Sequence, residues 1–440
     1  MIRTRLFSLS VVAACGFVTA QEPATGAKPS KSEIARMVDE YLAEESLVRA
    51  SYGSKGFRLE SRDGNFQTNL QWRAQLRATT PYRSDPRQVD DFDTDELTAE
   101  GRRLRMKIGG HGYRPWLKYY FEVDLQPTRS SDSSSSNASA RVIDWRIDVA
   151  KSKAFGIRVG QWKIDYNRER VDSSGRQQFV ERSIVNRVFT VDRQMGLGVR
   201  GRLFEGTGAD LRYYAGAFTG EGRGVSNDDN NLMYIGRLQW NFMGRDLALR
   251  QTDVERTEKP TGSFAIGGAT HTGRATRWSS SGGGNLDGYA KVEEGGAEVG
   301  QYRIHQAVAE FAFKYQGFST QNEFHWKNIQ DTTLAAGQLG NDVDLYGYYT
   351  QFGYFFNEVW SAVPEELELA ARYAWLSEPN APTTNDFENE RQEFTLGANW
   401  FFNGHNNKLT LDYSYLTIDD GLSGADESGN RVRLQWDISF

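Results

Sequence analysis

The last ten residues, RVRLQWDISF (431–440), alternate without a break and stop on an aromatic ring. Val432, Leu434, Trp436, Ile438 and Phe440 fall on one side of a strand of period two, and Arg431, Arg433, Gln435, Asp437 and Ser439 fall on the other. No helix sorts those two sets. Frayed chain ends are small and polar, so this ending predicts a strand that is held by something.

The same period governs most of the chain. In NFQTNLQWRAQLRA (65–78), Phe66, Thr68, Leu70, Trp72, Ala74, Leu76 and Ala78 face one way, and Gln67, Asn69, Gln71, Arg73, Gln75 and Arg77 face the other. The pattern returns at Leu104, Met106 and Ile108 opposite Arg103, Arg105 and Lys107. It returns again at Leu117, Tyr119, Phe121 and Val123 opposite Lys118, Tyr120, Glu122 and Asp124, and at Ile143, Trp145 and Ile147 opposite Asp144, Arg146 and Asp148. Further strands are predicted to begin near 155, 196, 209, 232, 262, 302, 317, 343, 365, 391, 407 and 430, giving about 16 in all. An even number is what an antiparallel barrel with both termini on one rim requires. Its connectors differ in kind, tight at Asn403-Gly404 and long and Ser/Gly/Asp-rich at 130–140 and 279–300.

Composition bears on where such a barrel sits. Mean hydropathy is -0.63 and a quarter of the residues are charged, yet 13% are aromatic. No segment approaches the roughly 18 consecutive apolar residues of a spanning helix, whereas barrel strands hide their apolar half in alternation. The first twenty residues read as a secretory signal, with Arg3 and Arg5 before an apolar run from Leu6 to Val18 and a small-residue site at Val18-Thr19-Ala20. Cleavage there starts the mature chain at Gln21 and removes its one cysteine. The alternative, a lipoprotein box at Val12 to Cys15, leaves an acylated Cys15. The expected fold class is all-β, a transmembrane antiparallel β-barrel over 57–440 in the bacterial outer membrane. A periplasmic linker and a short amphipathic helix, with Ile34, Met37, Val38, Tyr41, Leu42 and Val48 on one face, precede it over 21–56. That helix reads equally as a spacer or plug and as a short coiled coil joining copies. A closed barrel explains the ending, because a lipid-embedded strand must pair every backbone group and its interfaces favour rings such as Trp436 and Phe440.

Between 158 and 202 ten basic residues face five acidic ones, although the whole chain carries a net charge of -6. The alternation fades between Asp165 and Arg193, which predicts a long loop near 164–193 rather than a strand. Folded inward, its cations Lys163, Arg168, Arg170, Arg176, Arg182, Arg187 and Arg193 make an anion filter, since a charged constriction concentrates counter-ions and guanidinium forks suit phosphate oxygens. Left outside, the same charges are neutralised by neighbouring carboxylates or face lipopolysaccharide. Arg73, Arg77, Arg103, Arg105, Lys107, Lys118 and Arg146 lie on the polar faces of predicted strands, where a ladder of cations passes anions from site to site. The acids Glu122, Asp124, Asp144, Asp148, Glu310 and Glu323 share those faces.

Enzyme readings find little support. Gly196-x-Gly198-x-x-Gly201 continues as a strand where a dinucleotide motif needs a helix, and the five histidines lack metal-ligand spacing. No catalytic residue, metal or cofactor is expected, and export with an acidic balance disfavours nucleic acid. The rival outside the membrane is a secreted β-sandwich binding protein, whose strands also alternate.

The segments VGQWKIDYNRERVDSSGRQQFVERS (159–183) and NWFFNGHNNKLTLDYSY (399–415), with the aromatic terminus, resemble the phosphate-selective porins of the O and P type, which include polyphosphate-selective members. The resemblance implies a sixteen-stranded barrel, a homotrimer, and passive uptake of phosphate or similar small anions through a pore lined by arginine and lysine. Onto matching positions it carries Lys163 and the Glu181-Arg182 pair, and it makes Trp436, Ile438 and Phe440 a signal read by the barrel-assembly machinery. The chain departs from the pattern after Lys163, where Ile164-Asp165-Tyr166 stands in place of a Pro-Phe continuation. A general porin with little selectivity is the alternative within the class.

Overall fold

The computed structural model describes residues 30–45, 48–81, 97–125, 140–227, 229–280, 282–286, 288–290, 296–378, 389–420 and 425–440. The signal sequence, Cys15 and most of the serine-rich 130–140 stretch lie outside the described residues. The chain divides into two compact units, 1–47 and 48–440.

In the first, helix α1 (Lys31–Glu45) opens on a reciprocal cap: Ser30 N–H donates to Glu33 Oε2 at 2.7 Å and Glu33 N–H donates to Ser30 Oγ at 3.2 Å. Ile34, Met37, Val38 and Tyr41 stay 46–60% exposed along one face. The helix ends before Val48, which opens a strand instead. Val48, Ala50 and Tyr52 also alternate with Arg49, Ser51 and Gly53, and so short an apolar set fits either period.

The second unit begins with a hairpin, β1 (Val48–Gly53) and β2 (Gly56–Ser61). Strands β3 (Gln67–Thr80), β4 (Thr98–His111), β5 (Leu117–Asp124), β6 (Arg141–Val149), β7 (Gly156–Lys163), β8 (Arg193–Leu203), β9 (Leu211–Phe218), β10 (Met233–Trp240) and β11 (Thr261–Gly273) follow as antiparallel neighbours. After a small hairpin of β12 (Arg277–Ser279) and β13 (Gly282–Gly284), the wall continues with β14 (Tyr302–Tyr315), β15 (Phe318–Asp331), β16 (Asp342–Tyr354), β17 (Leu367–Ser377), β18 (Asn389–Asn403), β19 (Asn407–Asp420) and β20 (Ala425–Ser439). Because β20 pairs with β3, sixteen strands close into a barrel, and each predicted segment has its strand.

The closing seam accounts for the aromatic end. The upper part of β3, Arg73–Thr80, pairs with β20, while its lower part, Gln67–Leu70, pairs with β2. Between them Trp72 N–H donates to the Phe440 carbonyl at 3.0 Å, and Phe440 N–H donates to the Trp72 carbonyl at 2.9 Å. Gly56, at φ +80°, sits against this junction: a Cβ there would lie 2.2 Å from the Leu70 carbonyl oxygen and 2.9 Å from that of Phe440. Removing Phe440 deletes two ladder bonds at the one place where the ends of the sheet meet. A severalfold smaller yield of heat-modifiable barrel in the outer-membrane fraction is the expected result, and an unchanged yield would show the last residue to be dispensable.

Alternation sorts most of the wall as the sequence predicts. Along β20, Arg431, Arg433, Gln435 and Asp437 are at most 2% exposed, whereas Val432, Leu434 and Trp436 are 40–42% exposed. Connections on the rim that carries the carboxy-terminus are mostly short, as at 316–317 and 404–406, but the one over 241–260 is long.

The lumen is not uniformly polar. Ile304, Val308, Ile329, Val343, Leu345, Ala374 and Leu376 point inward and pack with Ile184, Val185, Val188 and Phe189 of the 164–192 connection into one apolar core. Gly347 makes room for it, since a Cβ there would stand 2.5 Å from the Phe189 ring. An apolar core inside the barrel anchors the connection over β14–β17 and leaves the other side of the lumen to water.

Candidate functional site

The 164–192 connection turns inward because the wall offers acceptors for its backbone. It carries two short helices, α2 (Arg168–Val171) and α3 (Val185–Phe189). Glu310 on β14 accepts from Arg168 N–H at 3.1 Å, and Glu323 on β15 accepts from Glu169 N–H at 2.6 Å and Asn167 Nδ2 at 3.0 Å. Glu368 accepts from Gln178 Nε2 at 2.7 Å, Glu393 from Ile184 N–H at 3.1 Å, and Asp412 from Val180 N–H at 2.9 Å. Five carboxylates along β14–β19 are thereby committed to loop donors, satisfying amides that would otherwise be buried without partners. The loop is a liner on that wall.

Most of its arginines serve the same purpose. Arg168 donates to Gln321 Oε1 at 3.0 Å and to the Ala248 carbonyl, Arg170 pairs with Asp192, and Arg182 donates to the carbonyls of Glu169 and Asp172 at 2.9 and 2.6 Å. Arg187 lies 3.7 Å from Glu378, and Arg193 grips Asp144 in a fork at 2.9 and 3.0 Å. These five are buried and tied, in contrast to the expectation that they line a constriction. A loop pressed into a narrow lumen must satisfy its own carbonyls and carboxylates, and its guanidiniums are the nearest donors.

A cavity of about 730 Å³ remains on the side of β3–β8. Of the seven loop candidates, Lys163 and Arg176 line it; of the seven wall candidates, Arg105, Lys107, Lys118 and Arg146 do. Arg73, Arg77 and Arg103 also point inward but are engaged: Arg73 with Asp437 at 3.1 Å, Arg77 with Glu181 at 2.9 Å, and Arg103 with Gln75 at 2.8 Å. Arg158 and Arg200, from the basic 158–202 stretch, join the lining, and so does Lys55, for which the sequence carries no expectation. Arg158 was recoverable, since it alternates with Ile157 and Val159 along β7, whereas Lys55 in the β1–β2 turn carries no periodic signal.

Charge in the cavity is unbalanced, with nine lysines and arginines against Glu122, Asp144, Asp148 and Asp165. All four acids are held by arginines. Glu122 takes Arg105 at 2.9 Å, Asp144 takes Arg193, Asp148 takes Arg158 at 2.6 Å and Arg146 at 3.3 Å, and Asp165 lies 3.4 Å from Arg200. Among the described residues Lys107, Lys118 and Arg176 form no salt bridge, the nearest carboxylates, such as Asp172 for Arg176, acting on them from farther off, and Lys163 Nζ donates to the Asp172 carbonyl at 3.1 Å. Burial, with Arg250 and Arg73 nearby, pulls the Arg176 guanidinium below its ordinary value, and an anion bound beside it relieves that repulsion. Burial pushes the Asp172 carboxyl up from the usual range, against the pull of Arg176.

The sheet resembles solved outer-membrane channels. It aligns with a loop-deletion mutant of OmpT from Vibrio cholerae at a TM-score of 0.56 and 10% identity, covering 86% of this chain and 100% of that one. With the outer membrane channel DcaP of Acinetobacter baumannii the TM-score is 0.52 at 12% identity over 87% and 99%. With an anion-selective porin from Comamonas acidovorans it is 0.50 at 10% identity over 85% and 99%. At these identities the likeness speaks for the fold. No curated protein matches the chain. The family model for phosphate-selective porin O and P matches residues 77–440, nearly the whole barrel including its closing strand. The chain therefore belongs to the phosphate-selective porin O and P family, and it is an outer-membrane channel rather than an enzyme.

Proposed function

We propose that the pore passes phosphate and similar small anions along the β3–β8 side of the lumen, with Lys107, Lys163 and Arg176 as the principal contacts. The supporting observation is the imbalance just described: the cavity's acids are each paired with an arginine, while these three cations line it without a salt bridge. In a low-dielectric wall such charges focus the field and raise the local anion concentration, and their separation along the lumen gives weak sites that release what they bind. Ladder residues Arg105, Lys118 and Arg146 extend the same potential toward the rim. We further propose a homotrimer in the lipid and lipopolysaccharide of the outer membrane, exported with removal of residues 1–20.

Reversal potential in planar bilayers under a KCl gradient tests the reading. A potential on the anion side, with chloride current blocked by millimolar phosphate, is expected. Weak or cation preference without block would leave a general porin.

A further inference from the structure

A second connection enters the lumen, from the opposite rim. The 241–260 segment meets the liner loop where Gln251 Oε1 accepts from Gln178 N–H at 2.7 Å and Gln251 Nε2 donates to Gln177 Oε1 at 2.8 Å. Lys314 Nζ on β14 holds the Thr252 carbonyl at 2.6 Å, and Arg168 reaches the Ala248 carbonyl. The constriction therefore has two jaws, fastened to one another and to the wall.

Each jaw presents one aliphatic side chain to the cavity. Val171 closes α2, five residues before Arg176, and Leu249 lies between the anchored Ala248 and Gln251. They are the only aliphatic side chains in a lining otherwise made of charged and polar groups, tyrosines and glycines, and both are half-buried. A hydrated inorganic anion gains nothing from such a surface, since exposing it to water is unfavourable. An anion with an apolar body gains on both counts: its head meets Arg176 and Lys163 while its body covers Val171 and Leu249. Tyr120, with the Arg146 guanidinium 4.4 Å over its ring, adds a flat face to the same cavity.

We propose that the two jaws form a clamp for organic anions, carboxylates or phosphate esters with an aromatic or aliphatic body, which the pore takes in preference to inorganic phosphate. The proposal rests on the anion-conducting reading above and names the substrate class of that same cavity.

Block of chloride current by two anions with the same head, inorganic phosphate and phenyl phosphate, tests it in the full-length protein. Covering an aliphatic pair with a ring is worth roughly tenfold in affinity. Phenyl phosphate is therefore expected to block at about one tenth of the phosphate concentration, and Leu249→Ser is expected to narrow that ratio to about twofold. Equal block by both anions in the wild type, or a ratio that persists in Leu249→Ser and Val171→Ser alike, would overturn the clamp and leave the anion pore standing. Cation preference with no block by either anion would overturn both. Because the ratio is taken within one variant, a change in the number of inserted channels does not affect it.

Discussion

Arg176→Glu lowers the anion-to-cation permeability ratio at least tenfold and abolishes block by phosphate. The argument is Coulombic. A unit charge about 6 Å from the path of an ion, in a water-filled pore with a dielectric constant of about 80, contributes roughly 0.7 kcal/mol, and reversing it changes the site by about 1.4 kcal/mol, or tenfold. That is a lower bound, since the protein wall on one side reduces the effective dielectric. Arg176 is the right position because it lines the cavity without a salt bridge, and the nearby Arg250 and Arg73 add to its field, which Asp172 offsets only in part. A glutamate there would instead find those arginines and cancel part of the remaining potential. The control is Arg303→Glu. Arg303 points away from the lumen on β14, where it donates to Gln330 at 3.2 Å, and reversal there is expected to leave the ratio within about twofold, the effect of a screened surface charge. Equal effects at both positions would mean that net charge, not the lining, sets selectivity.

The contrast between Arg176 and its neighbours marks the limit of what sequence carries. The barrel was legible because period two, with Trp and Phe on one face, survives any loop insertion, so each strand announces itself locally. The arginines of 164–193 look alike in sequence, and what separates them is distant. Arg168 is disposed of by Gln321 and Ala248, Arg187 by Glu378, and the loop backbone at Val180 by Asp412. No spacing rule links those positions. Alternation has a second blind spot, because it divides a strand into two faces without saying which is the lumen. In Tyr302-Arg303-Ile304-His305, the reading of polar as inward fails. Tyr302 and Ile304 are 1% exposed and join the internal core, while Arg303 and His305 face out. The same inversion occurs at Asp342 to Leu345, where the aspartates are outside and Val343 and Leu345 inside. A lining loop with its own apolar face, Ile184 to Phe189, is what reverses the rule. The sequence holds that face in plain view but not the wall it will meet.

Glu181→Gln frees the liner loop. Glu181 Oε1 accepts from Arg77 Nη1 at 2.9 Å, Arg102 Nε at 3.1 Å and Arg103 Nη2 at 3.5 Å, and its carbonyl accepts from Arg372 Nη1 at 3.0 Å. One carboxylate is thus shared by three buried guanidiniums brought by β3 and β4, of which Arg102 also lies 3.7 Å from Glu100. Glutamine keeps the size and an acceptor oxygen but removes the charge that Arg77, Arg102 and Arg103 share, so that the repulsion among them rises where water is scarce. Losing one partner of a buried ion pair costs about 3–5 kcal/mol, and part of that loss is recovered only if the loop moves away and water enters. The fall in stability and the change in conduction therefore have one cause. The expected trace shows larger mean conductance with frequent steps between levels, and the heat-modified band appears at lower temperature. Phosphate block should weaken as well, because Arg176 is carried on the loop that moves while Lys163 stays at the end of β7. A quiet trace of wild-type amplitude, in a protein whose thermal transition has dropped, would separate the two effects. It would mean that the apolar core of Val185, Val188 and Phe189 holds the loop without Glu181, and that the arginine cluster stabilises the wall rather than the jaw.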